Sequence, residues 1–309
     1  MTILALTGGV GGAKLSLGLS HVLEPNEVTF VVNVGDDFEH MGLSISPDVD
    51  TLTYTLAAIV NESTGWGRAD ESWDCLSELE NFEADTWFQL GDRDLALHLF
   101  RTALLKRGKT LTEVTQTICE RLGVEYKIAP VTDSSLRTRV LTAQGSLAFQ
   151  DYFVRLKCEP EVSAVEYHQR TLASLSPAIN TDEITGVVIC PSNPFLSIDP
   201  ILEVDELRSL LINRDFPVVA VSPIVGDRAI KGPTAKMMRE LKMPVTCVGV
   251  AQHYIELMDG YVIDDADAHQ MREIEELGIR VRNAPSIMRS LEDKVALARV
   301  CVDFLKELR

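Results

Sequence analysis

The stretch that decides the fold is TILALTGGVGGAKL, residues 2–15. The apolar run from Thr2 to Leu6 reads as a buried strand, and it ends in Thr7-Gly8-Gly9-Val10-Gly11-Gly12-Ala13-Lys14. Beyond the glycines, Leu15, Leu19 and Val22 keep the i, i+4, i+7 spacing of a helix. Strand, glycine loop and helix in that order let backbone N–H groups approach an anion at the positive end of the helix. A second apolar run, Val28 to Val34, closes on Gly35-Asp36-Asp37 and completes a βαβ unit. Glycine spacing fits neither standard phosphate motif. Lys14 is followed by Leu15 rather than Ser or Thr, and it also occupies the last position of a GxGxxG begun at Gly9. That failure speaks against a nicotinamide-dependent dehydrogenase. The loop therefore reads as a cradle for a phosphate or nucleotide, in which a side chain at Gly11 would take the phosphate's space, with Lys14 as counter-charge.

Similar apolar runs recur at Gly186–Cys190, Val218–Val221, Val245–Val250 and Tyr261–Ile263, separated by helical patterns at 204–212, 234–241, 252–258 and 266–277. A long amphipathic helix is expected from about Ser286 to Leu308. Alternation of this kind predicts an α/β fold with a doubly wound, mainly parallel Rossmann-like sheet. The middle of the chain differs. Helical patterns at 51–60, 72–79, 95–106 and 111–122 precede alternating runs around Ala143-Gln144-Gly145. The expected organisation is a nucleotide-binding core of residues 1–50 and 181–309 carrying a helical and hairpin insertion, 51–180.

Composition removes several classes. The 309 residues carry 29 Lys+Arg against 46 Asp+Glu, a formal net charge of −17, which disfavours nucleic acid and anionic membranes as partners. An anionic ligand must be held by a local site. The N-terminus lacks the basic start and cleavage site of a signal peptide, and no apolar run approaches the ~18 residues of a membrane span, so a cytoplasmic protein is expected. Six cysteines, at 75, 119, 158, 190, 247 and 301, form no CxxC and read as reduced, mostly buried residues. HExxH and a serine-elbow pattern are both absent, which removes zinc-hydrolase and serine-hydrolase readings. His21, His168, His253 and His269 read as incidental.

Four segments carry candidate chemistry. Asp36, Asp37, Glu39, Asp48 and Asp50 place five carboxylates within 15 residues at the carboxyl end of the second strand, where open α/β sheets bind ligands. Oxygen-rich sites of this kind suit Mg²⁺, which bridges one or two carboxylates to a substrate phosphate. Asp48 and Asp50, two apart in an extended segment, would face one ion, although Asp50 before Thr51 also reads as a helix N-cap. Leu90-Gly91-Asp92-Arg93-Asp94 looks like a helix entry with an Asp94/His98/Arg101 ion-pair face, and Arg93 is a candidate phosphate ligand. Cys190-Pro191-Ser192-Asn193-Pro194 follows a strand, and Val221-Ser222-Pro223 with Lys231-Gly232-Pro233 repeats the arrangement.

Taken together, TGGVGGAKL, NVGDDFEHMGLSISPDVDT, LGDRDLALHLFRT, SNPFLSIDPI, AVSPIVG and KGP resemble the 2-phospho-L-lactate transferase family of coenzyme F-420 biosynthesis, from residue 1 to about 290. The resemblance implies transfer of a phospholactyl, phosphoenolpyruvyl or phosphoglyceryl group from a guanosine diphosphate-activated three-carbon acid to the deazaflavin Fo, with Mg²⁺ present and GMP released. It implies that Asp50 contacts Fo and lies at the metal with Asp48. Gln89 falls on a second Fo-contacting position where a basic residue is expected, and Arg93 is the nearby cation to compensate. Gly8, Gly9, Gly11, Gly12, Ser192 and Asn193 would hold the guanosine diphosphate part, and Asp37 or Asp50 would take the hydroxyl proton. A homodimer is implied as well, for which the long final helix offers a surface. A related family shares the glycine loop and the acidic second-strand loop but binds nucleotide sugars as a regulator; it is the alternative reading.

Overall fold

Ile3–Thr7 (β1), Gly9–Ser20 (α1) and Val28–Val32 (β2) form the expected βαβ unit, and every residue of both strands is buried. The computed structural model describes residues 2–169, 173–226, 228–229 and 232–309. β1 lies between two parallel neighbours, so that Ile3 faces Val28 on one side and Gly186 on the other. Strands at Gly186–Ile189, Val218–Val221 and Gly260–Ile263 are equally buried, as continuous Val/Ile runs covered on both faces must be. The sheet has seven strands, in the spatial order 280–283, 260–263, 218–221, 186–189, β1, β2, 127–130, and all six pairings are parallel. From β1 the chain steps outward to β2 and 127–130, then returns to the other side of β1 at 186–189. That reversal opens a crevice above the carboxyl ends of β1 and 186–189, the usual ligand position in such sheets.

One face of the sheet is covered by α1 and the final helix, Leu291–Leu308, whose start is fixed by a capping box between Ser290 and Asp293. The two helices approach closely at Gly18. A β-carbon there would lie 2.1 Å from the Lys294 carbonyl oxygen. The final helix buries Leu297, Ala298, Cys301, Val302, Phe304 and Leu305 inside its own chain, so its apolar face is spent on the core. All six cysteines are free, and Cys119, Cys190, Cys247 and Cys301 are buried. Among the described residues no helix is long and apolar enough to cross a membrane.

Three expectations need correcting. Lys127–Pro130, within the stretch assigned to the insertion, pairs with β2 and forms an edge of the main sheet. Val245–Val250 is not a strand: Thr246 accepts a hydrogen bond from the Gly249 N–H and caps the helix Cys247–His253. A short, wholly apolar run has the same pattern in a buried helix as in a buried strand, and here the cap decides. Pro47 starts the helix Pro47–Leu56 (α2), with Ser46 as its N-cap position, four residues ahead of the expected start at Thr51. The rest of the insertion comprises helices 74–81, 92–106 and 111–121, plus a three-stranded antiparallel sheet of 137–142, 145–148 and 162–168. A short hairpin, Phe38–His40 and Leu43–Ile45, turns through Met41 and Gly42, both at positive φ, as a type I′ turn requires.

Candidate active site

The crevice is organised by Asn33, fully buried at the carboxyl end of β2. Its amide nitrogen donates to Asp48 Oδ2 at 2.8 Å, to the Leu196 carbonyl at 3.1 Å and to Asp36 Oδ1 at 3.3 Å, while its oxygen accepts from the Gly35 N–H at 2.7 Å. One side chain thus ties the second-strand loop, α2 and the 194–198 turn together. Asp48 is also bound by the glycine loop, because the Gly9 N–H donates to its Oδ1 at 2.7 Å. A carboxylate therefore sits on the N-terminus of α1, the place where an anion is favoured.

Burial is the main cause pushing all three carboxyls of this cluster up. Asp36 lies well above its ordinary value, with Asp48 and Asp37 repelling it; Asp37 is raised to about 7; Asp48 is raised to about 6 although Asn33 and the Gly9 N–H favour its charged form. Ser46 Oγ donates to Asp37 Oδ2 at 2.9 Å, and Asp37 Oδ1 is buried without a hydrogen-bond partner. Crowded buried carboxylates with an orphaned oxygen are the donor set a hard divalent cation satisfies. Among the described residues no group of three or more acidic, histidine or cysteine side chains is arranged to hold a metal ion. An ion of the Mg²⁺ type held here would draw on only one or two of these carboxylates, with water and substrate oxygens completing its shell.

Asp50 adds its charge to this cluster, helping to raise Asp36 and Asp37, but turns its oxygens elsewhere. Asp48 and Asp50 both lie in the first turn of the α2 helix, where residues two apart point to different sides, rather than in an extended segment that would aim both at one ion. The Asp50 carboxylate faces Arg101, whose Nη1 donates to its Oδ2 at 2.9 Å and whose Nη2 bonds its Oδ1. Nor is Asp50 an N-cap. Arg101 comes from the LGDRD helix and is 1% exposed, with His98 Nδ1 3.1 Å from its Nη1. His98 Nε2 in turn lies 3.3 Å from Asp94, which also accepts from the Tyr54 hydroxyl. The expected Asp94/His98/Arg101 face therefore exists only in part, because Arg101 turns inward to α2.

The other candidates are distributed as follows. Gly8 needs its missing side chain, since a β-carbon would stand 2.6 Å from Asp48 Oδ2 and 2.9 Å from Ser197 Cβ. Gly9 adopts φ +61°, and Gly12 abuts Thr7 and Ser192. At Gly11 a β-carbon would lie 2.1 Å from the Pro191 carbonyl, so Gly11 is required for loop-to-loop packing and not for the space of a phosphate. Ser192 Oγ donates to the Gly8 carbonyl across the crevice, and Asn193 Oδ1 accepts from the Phe195 and Leu196 N–H groups, capping the turn Pro194–Ile198. Lys14 Nζ donates to the Met288 carbonyl at 3.0 Å and lines a cleft of about 580 Å³ together with Arg228, Arg289, Glu62 and Ser63. Lys231 lies outside the described residues.

Gln89 and Arg93 are exposed. Asp92 caps the helix Asp74–Asn81 through the Asp74 and Cys75 N–H groups, and Glu71 caps the Arg93 helix through the Arg93 and Asp94 N–H groups, so LGDRD is also a reciprocal capping element. Beside Gln89, Phe38, His40, Trp87 and Phe88 form an aromatic cluster with ring centroids 4.9 to 6.2 Å apart. Sequence reading missed Arg101 as the partner of Asp50, and it treated His253 as incidental. His253 Nε2 is 2.9 Å from the largely buried Asp199.

A parallel sheet with a switch point, a glycine-headed helix and buried carboxylates beside it define a Rossmann-like α/β protein with these groups gathered where such sheets bind ligands. The comparisons make this specific. The family model described as 2-phospho-L-lactate transferase CofD matches residues 3–288, and the chain belongs to that family of transferases. It is 35% identical to the phosphoenolpyruvate transferase of Streptomyces griseus, over 100% of both chains. Its identity to the 2-phospho-L-lactate transferase of Methanocaldococcus jannaschii is 36%, over 99% of each; to that of Methanococcus maripaludis it is 32%, again over 99% of each. A solved structure of a UPF0052 family protein from Bacillus halodurans superposes with a TM-score of 0.65 at 14% identity, covering 97% of this chain and 98% of that one. At that identity the likeness concerns the fold.

Proposed function

We propose that the protein transfers a phospholactyl, phosphoenolpyruvyl or phosphoglyceryl group from a guanosine diphosphate-activated three-carbon acid to the terminal hydroxyl of the deazaflavin Fo, releasing GMP, in coenzyme F-420 biosynthesis. The observation that carries the reading is the juxtaposition of Asp48, Asn33 and the α1 N-terminus beneath the crevice, in a chain of this family. Phosphoryl-type transfer depends on charge neutralisation and in-line positioning more than on covalent participation by the protein.

In this reading the donor's diphosphate lies across the glycine loop, and the cleft lined by Lys14, Arg228 and Arg289 supplies the positive charge that the molecule as a whole lacks. Asp48, with Asp36 or Asp37, would hold Mg²⁺, which when bound neutralises phosphate charge and polarises the attacked phosphorus. The aromatic group of Phe38, Trp87 and Phe88 next to Gln89 offers faces to the flat deazaflavin ring. The Fo hydroxyl oxygen attacks the phosphorus that carries the three-carbon acid, the bond from that phosphorus to the GMP oxygen breaks, and the hydroxyl proton passes to a carboxylate. Asp37, raised to about 7 with one oxygen unpartnered, suits that task better than Asp50, whose oxygens face Arg101. The reading includes a homodimer, for which exposed Trp66, Trp73, Phe82, Leu99 and Phe100 on the insertion supply apolar surface.

The test offers Fo and Mg²⁺ with each of the three activated acids in turn and follows GMP and the Fo adduct. Stoichiometric formation of both from one donor is expected. Release of no GMP from any donor would contradict the reading.

A further inference from the structure

The turn Pro194–Ile198 roofs the glycine loop. The β-carbon and carbonyl oxygen of Ser197 stand only 2.9 and 3.1 Å from where a side chain on Gly8 would begin, and the Leu196 carbonyl accepts from Asn33. Its far end is held by a separate set of contacts. Asp199 follows the turn directly, and its two carboxylate oxygens lie 2.9 and 3.0 Å from His253 Nε2, at the end of the helix Cys247–His253. The Tyr167 hydroxyl donates to the Phe195 carbonyl at 2.7 Å and reaches the same carboxylate at 3.4 Å. The His253 ring also meets Phe195 edge-on, with centroids 5.5 Å apart.

We propose that His253, acting through Asp199, is a positioning residue that fixes the Pro194–Ile198 turn over Gly8 and Gly9 and so sets the opening through which the donor's phosphates enter. The brace stands on the contacts above; the clause about the donor rests on the transferase reading. Several features separate this pair from ordinary core packing. His253 and Asp199 are partly open, at 26% and 16% side-chain exposure, and both line a cavity of about 210 Å³ shared with Arg208, Glu203 and Tyr254. Burial works against a charged His253, and the Asp199 hydrogen bond and charge outweigh it even with Arg208 nearby, which keeps the donor proton on the ring. Glutamine carries an N–H donor at similar reach and can replace that bond without the charge.

The experiment compares wild type, His253→Ala and His253→Gln, as full chains, by hydrogen exchange and by donor kinetics. In His253→Ala the amides of 8–12 and 193–199 should exchange about tenfold faster, the scale of one lost charge-assisted hydrogen bond, while 291–308 is unchanged and His253→Gln recovers most of the protection. Donor KM should rise about tenfold in His253→Ala with kcat little altered, and His253→Gln should restore it. Unchanged exchange at 8–12, or an equal acceleration that includes 291–308, overturns the brace. A fall in kcat at constant KM overturns the donor assignment. Local loosening in His253→Ala, in a protein that releases no GMP in any form, supports the brace and rejects the transferase reading alone.

Discussion

Arg101 faces the Asp50 carboxylate with both of its terminal nitrogens, and both residues are nearly inaccessible to water. The pair joins the helix Asp92–Lys106 to α2, within the same first turn that carries Asp48. A planar fork matched to a carboxylate fixes direction as well as distance, so the ion pair determines which way α2 presents its acidic first turn.

Arg101→Met keeps volume and removes the charge, stranding Asp50 in a buried setting. A loss of about 3–5 kcal/mol in urea unfolding is expected, because an uncompensated buried carboxylate costs more than the pair contributes. The double variant Arg101→Met with Asp50→Leu should recover most of that loss, since neither charge is then buried alone. Equal stability of the single and double variants would show that the pair is not the source of the effect.

The three raised carboxyls give the apoprotein a pH dependence of definite sign. A carboxyl whose folded value is above its unfolded one binds more protons when folded, so its contribution to stability is present at low pH and lost as pH rises through the folded value. With Asp48 at about 6 and Asp37 at about 7, the melting temperature should fall between pH 5 and pH 8. Mg²⁺ should raise it at pH 8 and hardly at pH 5, where protons compete for the same oxygens. Asp37→Asn should flatten the slope; an unchanged slope would remove Asp37 from the cluster.

Gly11 and Gly9 separate packing from conformation. Gly11→Ala drives a β-carbon to 2.1 Å from the Pro191 carbonyl and should destabilise the fold by more than Gly9→Ala, which has room but pays about 1–2 kcal/mol for a left-handed backbone. Thermal melts of both variants decide this. The reverse order would return Gly11 to a phosphate-contact role.

Arg289→Ala, at the cleft shared by Lys14 and Arg228, should weaken GMP binding in titration calorimetry by about tenfold, the scale of a lost charge-assisted contact, and leave the melting temperature unchanged. Unaltered affinity would move the phosphates away from that cleft.

Much of the fold was legible because it is written in continuous apolar strands and one glycine-headed helix. Residues 3–7, 28–32, 186–189, 218–221 and 260–263 are buried runs whose pattern admits few alternatives, and the acidic loop after β2 falls where a switch point must lie. The edge strands were not legible. Arg280–Asn283 alternates charge because its edge is exposed, and Lys127–Pro130 is only four residues long. In the site, Asp48 was visible as one of five carboxylates at the carboxyl end of the second strand, but its partner Gly9 is 39 residues away and its separation from Asp50 depends on Pro47 starting α2 early. Arg101 and His253 could not be read because each gains meaning from a single distant partner, Asp50 and Asp199, and spacing carries no signal for such pairs.

The most direct measurement takes Asp48→Asn, which keeps the shape at the α1 N-terminus and removes the charge. GMP release from the accepted donor and thermal melting are followed on the same preparation. The account predicts a folded protein whose turnover falls by more than about a hundredfold and is at most partly restored by excess Mg²⁺. Near-normal turnover in a folded Asp48→Asn protein would contradict it.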